Sequence, residues 1–296
     1  MKKLIFAAIA LTCYALSASA QFNMPPMGRV EKHTMESKVL GVERDYSVYL
    51  PKSFDTDKDK KYPILYLLHG MLDTHNGWPD RGHVGDVANQ LTDSGEMVEM
   101  IIVTPDAGGN IWEGAWNGYF DMPGWKYETF FFTEFMPYIE ARYRVIGDKE
   151  HRAVAGLSMG GGGATSYGQQ HWDKFSSVYA MSALMDINEA NGVPAREPEN
   201  PDDKMALLTR SVKEHSCIGY VEDADDNRVE QLRSVKWFID CGDDDFLLDV
   251  NIDLTRAMRG KAIPFEFRIR DGGHTFEYWH SALYICLPYV SRNFSK

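Results

Sequence analysis

Cysteine is scarce in this chain, four in 296 residues, and Cys13 falls inside the apolar run at the N-terminus. The remaining three, Cys217, Cys241 and Cys286, are an odd number that permits at most one internal disulfide. Their spacing is not that of a zinc site, and burial as small apolar residues is the expected role. Long apolar runs are missing as well. The run from Leu4 to Leu16 is short for a membrane span and lacks a stop-transfer pattern, so no membrane span is expected. Positive charge is in deficit, with 31 Lys and Arg against 43 Asp and Glu and a formal net charge of −12. Such a surface excludes nucleic acid and anionic membranes as natural partners. There is no low-complexity tract and no internal repeat. What remains, 44% hydrophobic and 25% charged residues, suits a globular protein long enough for one large α/β domain.

The first twenty residues stand apart. Lys2 and Lys3 precede the apolar run, and Ala18-Ser19-Ala20 offers small residues before Gln21. This is the pattern of a cleaved secretory signal, which places the mature chain in the periplasm or outside the cell. Cys13 lacks the small residue that precedes a lipoprotein cysteine, which argues against lipidation. Cleavage removes two lysines and no acid, taking the formal charge from −12 to −14. Residues 21–37 read as an N-terminal extension rich in Met and Pro, and residues 38–296 as a single domain.

Within that domain, Gly156-Leu157-Ser158-Met159-Gly160 follows the short apolar stretch Ala153-Val154-Ala155. A serine hydroxyl is a poor nucleophile unless it projects into a cleft beside a base. Glycines on both sides permit a sharp strand-to-helix turn that exposes the serine and aims the backbone N–H of Met159 at a developing oxyanion. The five-residue motif alone is not specific, and its partners decide. In this arrangement the chain order is serine, acid, histidine. Of the histidines after Ser158, His274 is the best placed, because Phe265 to Arg270 alternates as a strand and Asp271-Gly272-Gly273 turns just before it. His280 is the rival, at the start of an amphipathic helix where Trp279, Leu283, Cys286, Leu287 and Val290 share one face. His171 and His215 read as polar surface. For the acid, Val235 to Ile239 is a strand followed by Asp240-Cys241-Gly242-Asp243-Asp244-Asp245. One of those aspartates should orient the imidazole, and spacing does not choose among the four. The run lacks the pattern of a calcium-binding EF-hand loop. A second oxyanion donor is expected after the strand Pro63 to Leu68, where His69-Gly70 brings backbone near the substrate and the N–H of Met71 is the candidate. His69 itself reads as structural.

The other expected strands are Tyr46 to Leu50, antiparallel, and Met100 to Thr104, Ala153 to Ala155 and Ser177 to Ala180. Helical spacing joins Phe131, Phe135, Tyr138, Ile139 and Arg142, with a kink or restart at Pro137, and later Val250, Leu254 and Met258. This alternation predicts an α/β fold, a mostly parallel central sheet with helices on both faces.

The set Leu68-His69-Gly70, Asn76-Gly77-Trp78, Tyr143-Arg144-Val145, Gly156 to Gly161, Cys241-Gly242-x-x-Asp245 and Gly272-Gly273-His274-x-Phe276 resembles the esterase D-like α/β-hydrolases. More narrowly, it is similar to carbohydrate esterase family 1, the feruloyl and acetylxylan esterases. The resemblance runs from about Val39 to Phe294. It implies an α/β-hydrolase fold, Ser158 as nucleophile, His274 as base, Asp245 as acid, Met71 and Met159 as oxyanion donors, and no metal or organic cofactor. The implied partner is an acylated carbohydrate or small ester. Trp112, Trp116, Tyr119, Phe120 and Trp125 crowd one loop, and Trp78, Trp112 and Trp116 are the candidate substrate-binding residues; a packed loop without substrate contact explains the aromatics of that loop equally well. The polar segment from Met185 to Arg233, with Pro194, Pro198 and Pro201, matches no family feature and is either a cap over the cleft, which its length favours, or a surface excursion. Four other functions share parts of the pattern: an S-formylglutathione hydrolase, against which the signal argues; an acyltransferase similar to the mycolyl transferases; a prolyl oligopeptidase-type peptidase, for which a large preceding domain is missing; and a non-catalytic carbohydrate-binding protein.

Overall fold

The alternation of apolar residues along each strand sorts the core into two layers, one on either face of a central sheet. The computed structural model describes residues 27–187, 200 and 202–295; the expected signal sequence, Pro194, Pro198 and Pro201 lie outside the described residues. The strands are β1 (Arg29–Glu36), β2 (Glu43–Leu50), β3 (Ile64–Leu68), β4 (Ile101–Pro105), the two-residue strands β5 (Asp121–Met122) and β6 (Trp125–Lys126), β7 (Arg152–Leu157), β8 (Ser177–Met181), β9 (Lys236–Gly242) and β10 (Glu266–Arg270). Eight form one sheet in the order β1-β2-β4-β3-β7-β8-β9-β10, while β5 and β6 pair separately. From β4 to β10 neighbours run parallel; β2 is antiparallel to both β1 and β4.

The helices are α1 (Gly77–Asp80), α2 (Val84–Ser94), α3 (Tyr127–Phe130), α4 (Met136–Arg142), α5 (Met159–Gln170), α6 (Lys204–Glu214), α7 (Cys217–Glu222), α8 (Asp226–Arg233), α9 (Leu248–Gly260) and α10 (Phe276–Asn293). On one face Tyr66, Leu68, Val154, Ala180 and Ile239 pack with Phe131, Tyr167, Val221 and Leu254. On the other Leu65, Leu67, Ala155, Tyr179 and Phe238 pack with Val87, Leu91, Leu283 and Leu287. Adjacent strand residues fall into opposite layers, as a pleated strand buried on both faces requires. This is the α/β-hydrolase fold expected from the sequence.

Three expectations are corrected, and one is sharpened. The stretch assigned to an N-terminal extension contains β1, whose pairing with β2 runs from Arg29 opposite Leu50 to Glu36 opposite Glu43; its half-exposed edge position gives it too little apolar alternation to be recognised. The strand before the acid turn continues to Gly242, so Asp240 is a strand residue and not part of the turn. The kink or restart expected at Pro137 is a restart: a wider π-turn at Phe131–Phe135 precedes α4, and Pro137 occupies the first turn of α4, where a missing N–H costs nothing. His171 and His215 do not lie on open polar surface: both face Glu128, at 2.9 and 3.6 Å, and their rings pack on Phe132 and Phe120. The five residues expected on the buried face of α10 are all buried.

The long connection between β8 and β9 docks on the body. Cys217 N–H donates to Met185 O at 2.9 Å and Gln169 Nε2 to Cys217 O at 2.9 Å, which ties α7 to α5. None of its described residues lines the cavity beside Ser158. Cys217, Cys241 and Cys286 are free and buried.

Candidate active site

The turn from β7 into α5 holds Ser158 at φ 53° and ψ −122°, a conformation that a non-glycine residue adopts only when its surroundings enforce it. Three hydrogen bonds do so: Ser158 N–H donates to Met181 O at 2.9 Å, and its carbonyl accepts from Gly162 N–H at 3.1 Å and Leu184 N–H at 2.9 Å. The flanking glycines are required by contact. A Cβ on Gly156 would overlap the Gly160 carbonyl, and one on Gly160 would overlap the His69 and Leu68 carbonyls. Residues of β3, β7 and α5 thus approach too closely for any side chain there.

His274 follows β10. Its Nε2 lies 2.9 Å from Ser158 Oγ and its Nδ1 lies 2.9 and 3.1 Å from the two Asp245 carboxylate oxygens. A carboxylate only accepts, so Nδ1 carries the proton and donates, leaving the Nε2 lone pair for the serine hydroxyl. Asp245 is buried at the turn after β9. Burial pushes its carboxyl up, but hydrogen bonds from His274, the Leu247 N–H and the Ser182 hydroxyl outweigh that, and the net shift is downward. Asp243 is exposed and accepts from Gly272 N–H at 3.1 Å. The geometry thus separates aspartates that spacing left equivalent. Gly242 brings the two turns together: a Cβ there would overlap the Gly272 carbonyl. Asp243, Asp244 and Asp271 bring exposed carboxylates within 4.8 Å of one another at this rim.

Met71 and Ser158 line one cavity of about 340 Å³, together with Leu72, Asp73, Arg81, Phe276 and Trp279. The loop carrying Met71 is pinned through successive carbonyls. Trp78 Nε1 donates to Leu68 O at 3.0 Å, Tyr119 hydroxyl to His69 O at 2.9 Å, and His69 Nδ1 to Gly70 O at 2.8 Å. His69 Nε2 accepts from Ala107 N–H at 2.9 Å, and burial holds its pKa below the ordinary histidine value, so it is a neutral structural group. Gly70 abuts Ser158: a Cβ there would sit 3.4 Å from Ser158 Cβ. Met159 is the first residue of α5, so its N–H has no acceptor within the helix.

The three tryptophans separate. Trp78 is fully buried and serves the Met71 loop; it is not a substrate-facing residue, because its ring fills the layer beside α2 and α10. Trp116 stacks on Trp125 at 6.2 Å, and Lys204 Nζ lies 4.8 Å over its ring. Trp112 is 58% exposed. Neither lines the cavity beside Ser158, while Tyr119, Phe120 and Trp125 are core residues. His280 Nδ1 donates to Gly82 O at 2.8 Å, whereas it is His274 that meets the serine hydroxyl.

Sequence reasoning missed the residues that hold this chain of hydrogen bonds in place. Trp279 meets the His274 ring edge to face at 4.9 Å, and its Nε1 donates to Ser182 Oγ at 3.0 Å. Ser182 is buried, has φ 45°, and its N–H donates to Asp240 O at 2.7 Å. Asp240 accepts from the hydroxyls of Tyr179 and Tyr278, each at 2.6 Å, and pairs with Arg268. The only trace of these in the sequence is their nearness to strand ends; which of them converge is a property of the register β8-β9-β10.

Comparison with known proteins gives a consistent result. The family model Esterase matches residues 37–289. A solved ferulic acid esterase is 62% identical with a TM-score of 0.87, over 91% of this chain and 99% of that one. An acetyl esterase of Caldicellulosiruptor saccharolyticus is 23% identical over 89% of this chain and 94% of its own length. An endo-1,4-beta-xylanase/feruloyl esterase of Xylanibacter ruminicola is 31% identical over 137 residues, 45% of this chain. The chain spans between 19% and 56% of the length of three curated relatives it matches, that one included.

Proposed function

Because the chain belongs to the esterase family, we propose that it is an exported serine esterase that removes feruloyl or acetyl groups from plant-type polysaccharide through an acyl-enzyme on Ser158. The observation that carries the reading is the continuous hydrogen-bonded chain Ser158 Oγ, His274 Nε2, His274 Nδ1, Asp245 at the wall of an open cavity. Ser158 Oγ attacks the ester carbonyl carbon as His274 Nε2 takes its proton, and Asp245 stabilises the imidazolium. The carbonyl oxygen becomes an oxyanion facing the N–H groups of Met71 and Met159. As the tetrahedral centre collapses, the C–O bond to the alcohol breaks and His274 returns the proton to the departing oxygen. Water, deprotonated by the same nitrogen, then attacks the acyl carbon and releases the acid, and the proton goes back to Ser158.

The choice of acyl group rests on relatives, chiefly the 62% identical ferulic acid esterase. Export rests on the N-terminal pattern of Lys2, Lys3, the apolar run and Ala20; among the described residues no helix is long and apolar enough to cross a membrane. The test is hydrolysis of methyl ferulate, 4-nitrophenyl acetate, 4-nitrophenyl butyrate and S-formylglutathione by the chain from Gln21, with Ser158→Ala as control. Preference for the ferulate ester, abolished in the control, supports the reading. Preference for S-formylglutathione, or ester turnover that survives Ser158→Ala, overturns it.

A further inference from the structure

Phe246 is 63% exposed, yet its ring centroid lies 4.6 Å from that of His274 with the planes at 51°. Leaving an aromatic ring in water forgoes the stabilisation that burial would give it. Here the backbone prevents burial. The residues on either side, Asp245 and Leu247, are both buried, and Leu247 N–H donates to Asp245 Oδ1 at 2.9 Å while Leu248 N–H donates to Asp245 O at 2.9 Å. A turn anchored on both sides presents the ring outward in a fixed place. Phe246 is not among the residues lining the cavity of Met71, Arg81, Phe276 and Trp279. The imidazole therefore has an apolar neighbour outside that cavity as well as Trp279 within it.

An ester has two limbs. The departing alkoxy oxygen must come within hydrogen-bond reach of His274 Nε2 to receive its proton, so the first carbons of the alcohol pass close to whatever covers the imidazole. We propose that Phe246 is the platform on which the leaving alcohol's sugar ring packs by its C–H face, with the cavity taking the acyl limb. This rests on the esterase reading and adds to it the selection of a sugar ester over a simple alkyl ester. A flat apolar ring suits the C–H face of a pyranose or furanose and offers nothing to a methyl group beyond its small area.

The experiment compares kcat and KM for methyl ferulate and for the feruloyl ester of a short pentose oligosaccharide, using the wild-type chain, Phe246→Ala and Phe246→Tyr. The expected result is a roughly tenfold fall in the ratio of kcat/KM, sugar ester to methyl ester, in Phe246→Ala. The fall should come mainly through KM, and Phe246→Tyr should restore the ratio. Equal losses on both esters would mean that the ring serves the imidazole alone, and an effect following the acyl group rather than the alcohol would place the ring on the other limb; either overturns the proposal. Wild-type turnover of methyl ferulate, abolished by Ser158→Ala, tests the esterase reading separately.

Discussion

Asp245 and Asp243 are two residues apart and differ in what they touch. Asp245 holds His274 Nδ1 from a buried position, whereas Asp243 is exposed and closes a turn onto Gly272. Asp245→Asn should therefore lower kcat by roughly 10³–10⁴-fold, by losing the charge that stabilises the imidazolium, while Asp243→Ala should change it by no more than a few-fold; steady-state kinetics on one ester decide, and the reverse order would refute the assignment. Ser182 makes a finer case. Its hydroxyl accepts from Trp279 and helps hold the Asp245 carboxyl down, so Ser182→Ala should lower kcat about tenfold at nearly constant KM, as loss of one bond to a charged group predicts. A matching loss in Trp279→Phe, without addition in the double variant, would show that the two act through one path.

At the scale of elements, β9 and β10 carry most of the site's organisation. Buried Asp240, held by Tyr179, Tyr278 and Arg268, fastens β8, β9, β10 and α10 together immediately behind the turns that supply Asp245 and His274. Removing one partner of such a network leaves a buried charge unpaired, and Asp240→Ala should cost about 3–5 kcal/mol in urea denaturation. An unchanged denaturation midpoint would refute that role. The contrast with the sequence reading is physical. The turn at Ser158 was legible because close packing forces glycine at Gly156 and Gly160, and the strand sequence of this fold sets the chain order serine, acid, histidine. The Asp240 network was not legible, because cross-strand partners far apart in the chain are set by sheet order and register, which local pattern does not encode. Edge strand β1 was missed for a related reason: with one side open it has little apolar alternation to read. Trp78 was misassigned because an aromatic beside a site motif has the same composition whether it faces substrate or, as here, braces the Leu68 carbonyl.

For the whole molecule, acid should act in two stages. Burial holds His69 and His75 below the ordinary histidine pKa. As pH falls below about 6.5 the unfolded chain takes up protons at these positions before the folded chain does, so stability declines. Asp245 is depressed in the folded state, and its contribution is present above the unfolded value near 4 and is lost as pH falls below it. Urea midpoints measured from pH 8 to pH 3 should fall in both windows, and His69→Gln with His75→Gln should flatten the first; a midpoint that rises on acidification through pH 6 would contradict this. The formal charge of −12 adds no attraction for polyanions and leaves an uncharged ester as a compatible substrate. The proposed reaction turns on a covalent step at one oxygen. Rapid acid quench during turnover of a ferulate ester, followed by peptide mass analysis, should reveal one feruloyl group on the peptide containing Ser158 and none in Ser158→Ala. An acyl group on another residue, or unaltered turnover in Ser158→Ala, would contradict an acyl-enzyme on Ser158.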